Sequence, residues 1–235
     1  MFRIIARLHF LQNLLGKFVA QLIPPFLVHN LGKYFAIKKA FYLTGLDGVE
    51  GDYIEFGVFT GSSMACAIQC ARATRVEYAH RQVNFFGFDS FSGFGKLDKK
   101  DEHPLYEDLR FDADASKVEA RLRKLVKPHQ GLKLVPGFFD ETCAKAAPAT
   151  YGIDKAAVIM IDCDTFGAAA TCLRFCESTI QEGTILILDD FFSYKGHQQK
   201  GVYGAFVAWT NRFKDFQFRP VSEYGMGGVV YMAHL

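Results

Sequence analysis

Apolar residues follow one pattern in the first fifty residues of the chain and a different pattern afterwards. Up to Glu50 they recur at helical spacing, with a break at Pro24-Pro25, where a helix must stop. Beyond Gly51, short all-apolar runs bounded by turn residues alternate with longer amphipathic stretches. Short apolar runs are typical of strands buried on both faces, and the longer stretches are typical of helices. We therefore expect N-terminal helices followed by alternating strands and helices.

The alternating region divides into seven predicted strands and several predicted helices. The strands are "DYIEFGV", "NFFGFDSF", "LKLVPGFF", "AAVIMIDCD", "TILILDDF" and a closing antiparallel pair, "FQFRPVSEY" and "GGVVYMAHL". The helices are "GSSMACAIQCARATR", "SKVEARLRKLVKP", the short "DETCAKAA", "AAATCLRFCESTIQEG" and "GVYGAFVAWTNRF". Ser116 is the predicted N-cap of the second helix, and Gly183 is the predicted C-cap of the fourth. A polar stretch from 93 to 115 is predicted to be a long loop.

This order of elements predicts an α/β fold with three layers. The sheet is Rossmann-like and mostly parallel, with an antiparallel last strand and helices on both faces. Residues 51–235 would form this domain, and residues 1–50 would form a helical segment that caps it or mediates oligomerisation. Ligands of such sheets bind at the carboxyl ends of the strands, near the point where the strand order reverses.

Composition narrows the class of protein. A length of 235 residues, half of them hydrophobic, suits one large domain with an ample core. The formal charge of +2 gives no electrostatic reason to expect nucleic acid as a partner. The six cysteines include no CxxC pair and no histidine at zinc-finger spacing, which favours buried thiols in a cytoplasmic protein over structural zinc.

The N-terminal segment has the composition of an amphipathic helix. Arg3 and Arg7 interrupt its apolar residues, and it contains no run of 18 apolar residues, so we expect neither a signal peptide nor a transmembrane span. The helix is expected to pack on its own domain or on a partner subunit. In the second case the protein would be a homodimer. Contact with a membrane surface through the same helix is the alternative.

Candidate ligand-binding residues follow the predicted strands. Glycines after the first strand, Gly57 and Gly61, allow a sharp turn and close approach of a ligand, and the next helix starts near Ser62. Asp89 follows the second strand and can accept hydrogen bonds from ribose hydroxyls. Phe138, after the third strand, could flank a base. In chain order the candidate cofactor-binding residues are Glu55, Phe56, Gly57, Gly61, Ser62, Ser63, Asp89, Ser90, Phe91, Gly137, Phe138, Phe139 and Asp162.

The first turn differs from the two common nucleotide-binding motifs. Its "ExGxxxG" pattern is neither the "GxGxxG" of dinucleotide-binding proteins nor a phosphate-binding loop, which would need "GK[ST]". An acid such as Glu55 suits a cationic group better than a phosphate. This combination favours S-adenosylmethionine, although Gly57 and Gly61 taken alone are also explained as turn glycines of any α/β domain.

Four acids follow the fourth and fifth strands. Asp162 and Asp164 end the "MIDCD" run, and Asp189 and Asp190 end "ILILDD". Carboxylates on neighbouring strand ends repel each other, and a hard divalent cation removes that conflict. The sequence therefore predicts a Mg²⁺ site formed by Asp162, Asp189 and Asp190.

The segments "GDYIEFGVFTGSSM", "FFGFDSFSGFG", "GFFDET", "VIMIDCDTF" and "GTILILDDF" occur in an order that resembles the macrocin O-methyltransferase-like family. Its members are class I, S-adenosylmethionine-dependent methyltransferases that modify sugar hydroxyls in macrolide biosynthesis. The resemblance covers about residues 51–211. It implies that Asp162, Asp189 and Asp190 hold Mg²⁺ and that Phe138 or Phe139 lies near the adenine. The N-terminal segment and the long loop, which shape the acceptor pocket in the family, show no clear match.

The resemblance implies methyl transfer to the hydroxyl of a small-molecule acceptor, such as a sugar. The candidate catalytic residues are Asp162 on the metal, with His197 and Asp164 as alternatives for the general base. Three other functions stay open: a metal-independent methyltransferase, a protein that binds S-adenosylmethionine or a nucleotide without turnover, and a nicotinamide-dependent reductase. The missing "GxGxxG" disfavours the reductase.

Overall fold

We describe the protein from a computed structural model, which covers residues 9–73, 83–95, 97–99, 101–104 and 111–235. Some sequence predictions lie outside the described residues. These are Arg3 and Arg7, the last two residues of the first predicted helix after Gly51, and residues 96, 100 and 105–110 of the predicted loop.

A seven-stranded sheet forms the centre of the molecule. Five strands are parallel. Four of them are buried along their whole length, and the fifth, Leu132–Pro136 at the edge of the sheet, is partly exposed. The five strands are β1 (Asp52–Phe56), β2 (Phe85–Asp89), β3 (Leu132–Pro136), β4 (Ala156–Ile161) and β5 (Ile185–Leu188). The closing strands β6 (Gln217–Tyr224) and β7 (Gly228–His234) pair antiparallel with each other, and β7 also pairs antiparallel with β5. The strand order β3-β2-β1-β4-β5-β7-β6 confirms the predicted fold class.

Helices precede the sheet and connect its strands. Two N-terminal helices, α1 (His9–Leu22) and α2 (Pro25–Leu46), come before β1. The other helices in the described part of the chain are α3 (Ser62–Ala73), α4 (Ala115–Arg123), α5 (Phe139–Thr142), α6 (Pro148–Tyr151), α7 (Phe166–Cys176) and α8 (Gly201–Arg212), with 3₁₀ turns at Glu177–Thr179 and Tyr194–Gly196.

Alternation along the strands divides the core into two layers. Ile159 and Leu186 face a cluster that contains residues of α7 and α8. Met160 and Ile187 face the other cluster, which contains residues of α2 and α3. Because side chains alternate, the next positions of the same parity, Asp162 after Met160 and Asp189 after Ile187, belong to the face on which α2 packs.

Several predicted helix ends differ from the structure, and α4 ends at Arg123, before the predicted end at Pro128. The N-cap of α4 is Asp114, whose side chain accepts a hydrogen bond from the Lys117 amide, so Ser116 lies inside the helix. The helix predicted to end at Gly183 ends at Cys176 and continues only as a 3₁₀ turn. Gly183, with φ of +85°, lies in the turn before β5.

The N-terminal helices differ in how they are packed. The second half of α2 is part of the core, with Ile37 and Ala40 fully buried, whereas α1 has no buried residue. The predicted division at residues 50 and 51 stays a prediction. Among the described helices, none alone is long and apolar enough to cross a membrane, and only α1 and α2 together, bent by 86°, have the length and composition for it.

Candidate active site

A cavity of about 610 Å³ opens at the carboxyl ends of the parallel strands. Strand order reverses between β1 and β4, with β2 and β3 on one side and β5 on the other. This reversal separates the loops after β1 and β4, which is where ligands of open α/β sheets bind. The cavity volume lies within the range of about 300–1,000 Å³ that is usual for small-molecule sites.

Gly57 makes the first turn possible. Its φ of +91° lies in the left-handed region, and a Cβ atom there would lie 1.7 Å from the backbone oxygen of Asp162. The turn that follows, Val58 to Gly61, leads into α3, whose first residues Ser62 and Ser63 line the cavity. The free amides at the start of α3 therefore lie at this wall of the cavity.

Asp89 at the end of β2 ties two loops together. One carboxylate oxygen accepts a hydrogen bond from the Phe59 amide at 2.7 Å, and the other accepts one from the Phe91 amide at 2.6 Å. Burial raises the pKa of Asp89 although both hydrogen bonds act to lower it. The carboxylate keeps some acceptor capacity, because its two oxygens together offer about four lone-pair sites. Asp89 lines the cavity and can therefore also accept hydrogen bonds from a ligand.

Glu55 is fully buried below this turn. Its carboxylate accepts hydrogen bonds from the Tyr53 hydroxyl at 2.6 Å and from the Ser63 hydroxyl at 2.7 Å. Burial raises the pKa of Glu55 to about 7. Glu55 does not line the cavity. Its hydrogen bond with the Ser63 hydroxyl instead holds the start of α3 in place.

The acids after β4 and β5 form one cluster. One carboxylate oxygen from each of Asp162, Asp189 and Asp190 lies within 4.8 Å of the other two. The backbone brings them together, because the Asp189 amide donates to the oxygen of Ile161, the residue before Asp162. Asp164 and Asp190 adopt left-handed backbone conformations, with φ of +61° and +50°, and line the cavity. Asp tolerates this conformation better than most residues, since its side chain can hydrogen-bond locally.

Two basic side chains of α2 contact this cluster. The Lys33 ammonium lies 2.7 Å from the Asp162 carboxylate and 2.5 Å from the Asp189 carboxylate. His29, one helical turn earlier, places Nε2 3.1 Å from both oxygens of Asp189, and its Nδ1 accepts from the Met226 amide at 3.2 Å. Because Nδ1 accepts a hydrogen bond, Nε2 carries the proton of the neutral ring and donates to Asp189.

The charges in the cluster shift one another strongly. Burial alone would raise the pKa of Asp189, but Lys33 and the hydrogen bond from His29 hold it well below its usual range. Burial raises the pKa of Asp162 and of Asp164, and repulsion from Asp190 raises that of Asp164 further. Burial would lower the pKa of Lys33, but the two carboxylates raise it above its ordinary value, so the ammonium is charged at neutral pH.

The structure brings most predicted site residues to one cavity. Those that line it are Gly57, Ser62, Ser63, Asp89, Ser90, Phe138, Phe139, Asp162, Asp164, Asp189 and Asp190. Phe56 and Phe91 are buried in the core instead, and Gly61 and Gly137 serve the adjoining turns with φ of +75° and +141°. His197 is exposed on a different depression beside Phe166, and its Nδ1 accepts from the Gln199 amide.

Several site residues were not anticipated from the sequence. His29, Asn30 and Lys33 reach the cavity from α2, and the Tyr224 hydroxyl donates to Asp189 at 2.8 Å. The three helix residues are polar positions within the apolar stretch "PFLVHNLGKYFAI", and that contrast was the available signal. Tyr224 gave no comparable signal in its strand.

Asp101 connects the predicted long loop to the site. It is buried, and its carboxylate accepts hydrogen bonds from the amides of Phe166 at 2.7 Å and Gly167 at 3.3 Å, at the start of α7. Its backbone oxygen accepts from the Tyr194 hydroxyl at 2.8 Å. The loop is thereby fixed next to Asp164 and Thr165, which line the cavity.

Comparison with known proteins identifies the family of the chain. Residues 36–203, more than half of the chain, match the macrocin-O-methyltransferase (TylF) family. The chain belongs to this family. Mycinamicin III 3''-O-methyltransferase from Micromonospora griseorubida is 27% identical over 154 residues, or 62% of this chain. The match covers 57% of that relative, so the chain spans little more than half the length of the curated relative it matches.

Solved structures show the fold of this macrocin-O-methyltransferase family member. The O-methyltransferase NovP has a TM-score of 0.70 at 19% identity, covering 87% of this chain and 80% of NovP. Apo CalS11, the TDP-rhamnose 3'-O-methyltransferase of calicheamicin biosynthesis, has a TM-score of 0.59 at 17% identity, covering 92% and 86%. The resemblance found in the sequence and the class I methyltransferase fold are both confirmed.

Proposed function

We propose that this protein is an S-adenosylmethionine-dependent O-methyltransferase acting on a hydroxyl of a small, sugar-containing acceptor. The observation that carries the proposal is the single cavity in which the first turn and Asp89 face the acid cluster. Family membership supports the reaction. The acceptor class is supported by a relative named as a mycinamicin III 3''-O-methyltransferase and by the rhamnose-modifying CalS11.

The residues around the first turn fit the cofactor. Gly57 has no room for a side chain, so the backbone itself forms the cavity wall, and Asp89 offers free lone pairs for vicinal ribose hydroxyls. Phe138 is 40% exposed beside the cavity and supplies an apolar face for a base. When bound, S-adenosylmethionine supplies a methyl group on a positively charged sulfur.

The acceptor hydroxyl must lose its proton as the new O–C bond forms and the C–S bond breaks, leaving S-adenosylhomocysteine. Asp164 lines the cavity and is the carboxylate we assign to take that proton. His197 is not placed for this role, because it lies on a different depression. The remaining contribution of the chain is to align the acceptor oxygen with the methyl group and to limit access of water.

The donor set at the acid cluster also fits a hard divalent cation. Asp162, Asp189 and Asp190 would hold it through carboxylate oxygens, the ligands that Mg²⁺ prefers. A Mg²⁺ ion there would orient the acceptor hydroxyl and lower its pKa. A methyltransferase that works without metal is the alternative. It is favoured by Lys33, whose ammonium already contacts Asp162 and Asp189.

A methyl-transfer assay tests the function. S-adenosylmethionine carrying a labelled methyl group is incubated with a panel of deoxysugar nucleotides and glycosylated macrolides, with Mg²⁺ or with EDTA. We expect labelled product whose formation stops in EDTA and in Asp164→Asn. Binding of S-adenosylhomocysteine without product from any acceptor would favour a binding protein, and full activity in EDTA would exclude the Mg²⁺ role.

Two proposals concern the whole protein. We assign it to the cytoplasm, since its buried cysteines are free thiols, the form kept in a reducing compartment. We also propose that the N-terminal segment 1–50 makes a homodimer contact through α1, because no residue of this helix is buried within its own chain.

A further inference from the structure

Lys33 lies where a cation held by the acid cluster would lie. Its ammonium is within hydrogen-bond distance of Asp162 and Asp189, two of the three carboxylates that offer a metal site. The side chain is 11% exposed, and the Asp189 side chain is 2% exposed, so water screens this contact little. Lys33 is therefore a built-in counter-ion of the cluster.

Asp189 has little acceptor capacity to spare in this arrangement. One of its oxygens accepts from the Tyr224 hydroxyl, the other contacts Lys33, and His29 lies 3.1 Å from both. A carboxylate offers about four lone-pair sites, and these donors occupy most of them. A divalent cation on Asp189 and Asp162 would also place two positive centres against the same oxygens, where they repel.

The carboxyl groups of the cavity outnumber the ammonium group that contacts them, which favours binding of a further cation. Asp162, Asp164, Asp189 and Asp190 are four acids that line one cavity, and Lys33 brings one ammonium group to two of them. A single ammonium cannot balance this surplus of carboxylates. The side chain of a lysine is long and unbranched, so it can withdraw along the cavity without movement of α2.

We propose that Lys33 is an internal competitor of the divalent cation, which must displace its ammonium from Asp162 and Asp189 in order to bind. This inference rests on the cation site of the proposed function. Only molecules in which Lys33 has withdrawn can bind the cation. The apparent affinity of the wild-type protein for the cation is therefore the intrinsic affinity multiplied by the fraction of molecules in that state. If that state is populated at about 10% or less, removing Lys33 tightens binding about tenfold or more.

Calorimetric titration with Mn²⁺ tests the proposal without methyl transfer. We expect Lys33→Met to bind Mn²⁺ at least about tenfold more tightly than wild type. Lys39→Met is the matched control, since Lys39 is an exposed lysine of the same helix, and it should bind like wild type. The double variant Lys33→Met/Asp162→Asn should lose the gain, which locates the cation at Asp162. Binding of S-adenosylhomocysteine by each variant shows that the cofactor half of the site is folded.

A second measurement uses wild-type protein, so the proposal remains testable if Lys33→Met does not fold. Acetylation by an amine-reactive ester is followed by mass spectrometry with and without Mn²⁺. Lys33 should be protected in metal-free protein and labelled faster with Mn²⁺, while Lys39 is labelled equally in both. Equal or weaker Mn²⁺ binding by Lys33→Met, or Lys33 labelling unchanged by Mn²⁺, would overturn the competition. Methyl transfer that persists in EDTA would contradict only the metal role in the proposed reaction.

Discussion

Gly57 is the residue whose replacement has the most direct structural consequence at the site. A Cβ atom there would overlap the backbone oxygen of Asp162, and φ of +91° is a conformation that alanine avoids. We expect Gly57→Ala to lower the free energy of unfolding by at least about 3 kcal/mol and to abolish binding of S-adenosylhomocysteine. Urea denaturation and calorimetry measure the two effects.

Gly152 provides the control for that substitution. Its φ is +89°, almost the same as at Gly57, but a Cβ atom there would meet nothing within 4 Å. Gly152→Ala should therefore cost only the conformational strain, about 1–2 kcal/mol, and leave cofactor binding unchanged. Equal losses in the two variants would show that contact with Asp162 contributes nothing.

Glu55 should make stability depend on pH. Its pKa is raised from 4.5 in the unfolded chain to about 7 in the folded protein, so the folded state binds more protons between these values. Stability then falls as pH rises through this window, by about 3 kcal/mol for this one group. We expect Glu55→Gln to remove that decline, measured by urea denaturation at about pH 5 and about pH 8.

Glu182 is the matched control, because its carboxylate is exposed. Glu182→Gln should keep the wild-type decline in stability between the two pH values. A Glu55→Gln protein that declines as steeply as wild type would show that the buried carboxyl is ionised in the folded state at both pH values.

At this scale the sequence located the acids but not their partners. Asp89, Asp162 and Asp189 could be predicted because each directly follows an apolar strand, and parallel strands end at one edge. Lys33 and Tyr224 could not, since their contacts depend on how α2 and β6 pack, which no local period encodes. Glu55 was placed on the right strand, but its burial under Tyr53 and Ser63 was not foreseen.

Among the elements, the start of α7 depends on a residue that is distant in sequence. Asp101 accepts hydrogen bonds from the Phe166 and Gly167 amides, so a loop residue holds the helix that follows Asp164. We expect Asp101→Ala to destabilise the protein by about 1–2 kcal/mol and to lower kcat/KM for methyl transfer, because Asp164 loses its support.

Asp114 separates the two effects. It caps α4 at an exposed position through the Lys117 amide and does not line the cavity. Asp114→Ala should lower stability but leave kcat/KM unchanged. If Asp101→Ala kept full kcat/KM at a temperature where it is folded, the loop would have no part in placing Asp164.

Helix ends were the least accurate of the predicted elements, for a local reason. Near α4 the sequence "DADASK" offers two capping side chains, and the structure uses Asp114 where Ser116 was expected. Gly183 was predicted to cap the helix that ends at Cys176, but it lies in the turn before β5. The strands were accurate because all-apolar runs have one explanation in a covered parallel sheet.

For the whole molecule, connectivity predicted the direction of the strands, whereas their order came from the structure. Strands joined by helices must run parallel with right-handed crossovers, which limits five alternating units to a few orders. The final two strands lack a helix between them, and this predicted the antiparallel pair that the structure shows. The direction of α2 across the sheet had no such constraint, so the basic wall of the cavity had to be seen in the structure.

The exposed face of α1 should decide the oligomeric state. Leu11, Leu14, Leu15, Phe18 and Leu22 recur at helical spacing, and all are exposed in this helix, which has no buried residue. A fourteen-residue helix is marginal in water when nothing covers it, so a second copy of the chain is the partner we propose.

Replacing Leu11 and Phe18 together by Asp puts charge on that face. We expect this variant to have the mass of one 26.4 kDa chain by light scattering after gel filtration, where wild type has twice that mass. Asn13→Asp adds the same kind of charge to the opposite, polar face and should stay dimeric. A wild-type protein that is monomeric and sediments with anionic phospholipid vesicles would assign α1 to a membrane surface instead, because the same apolar face would then be buried in lipid.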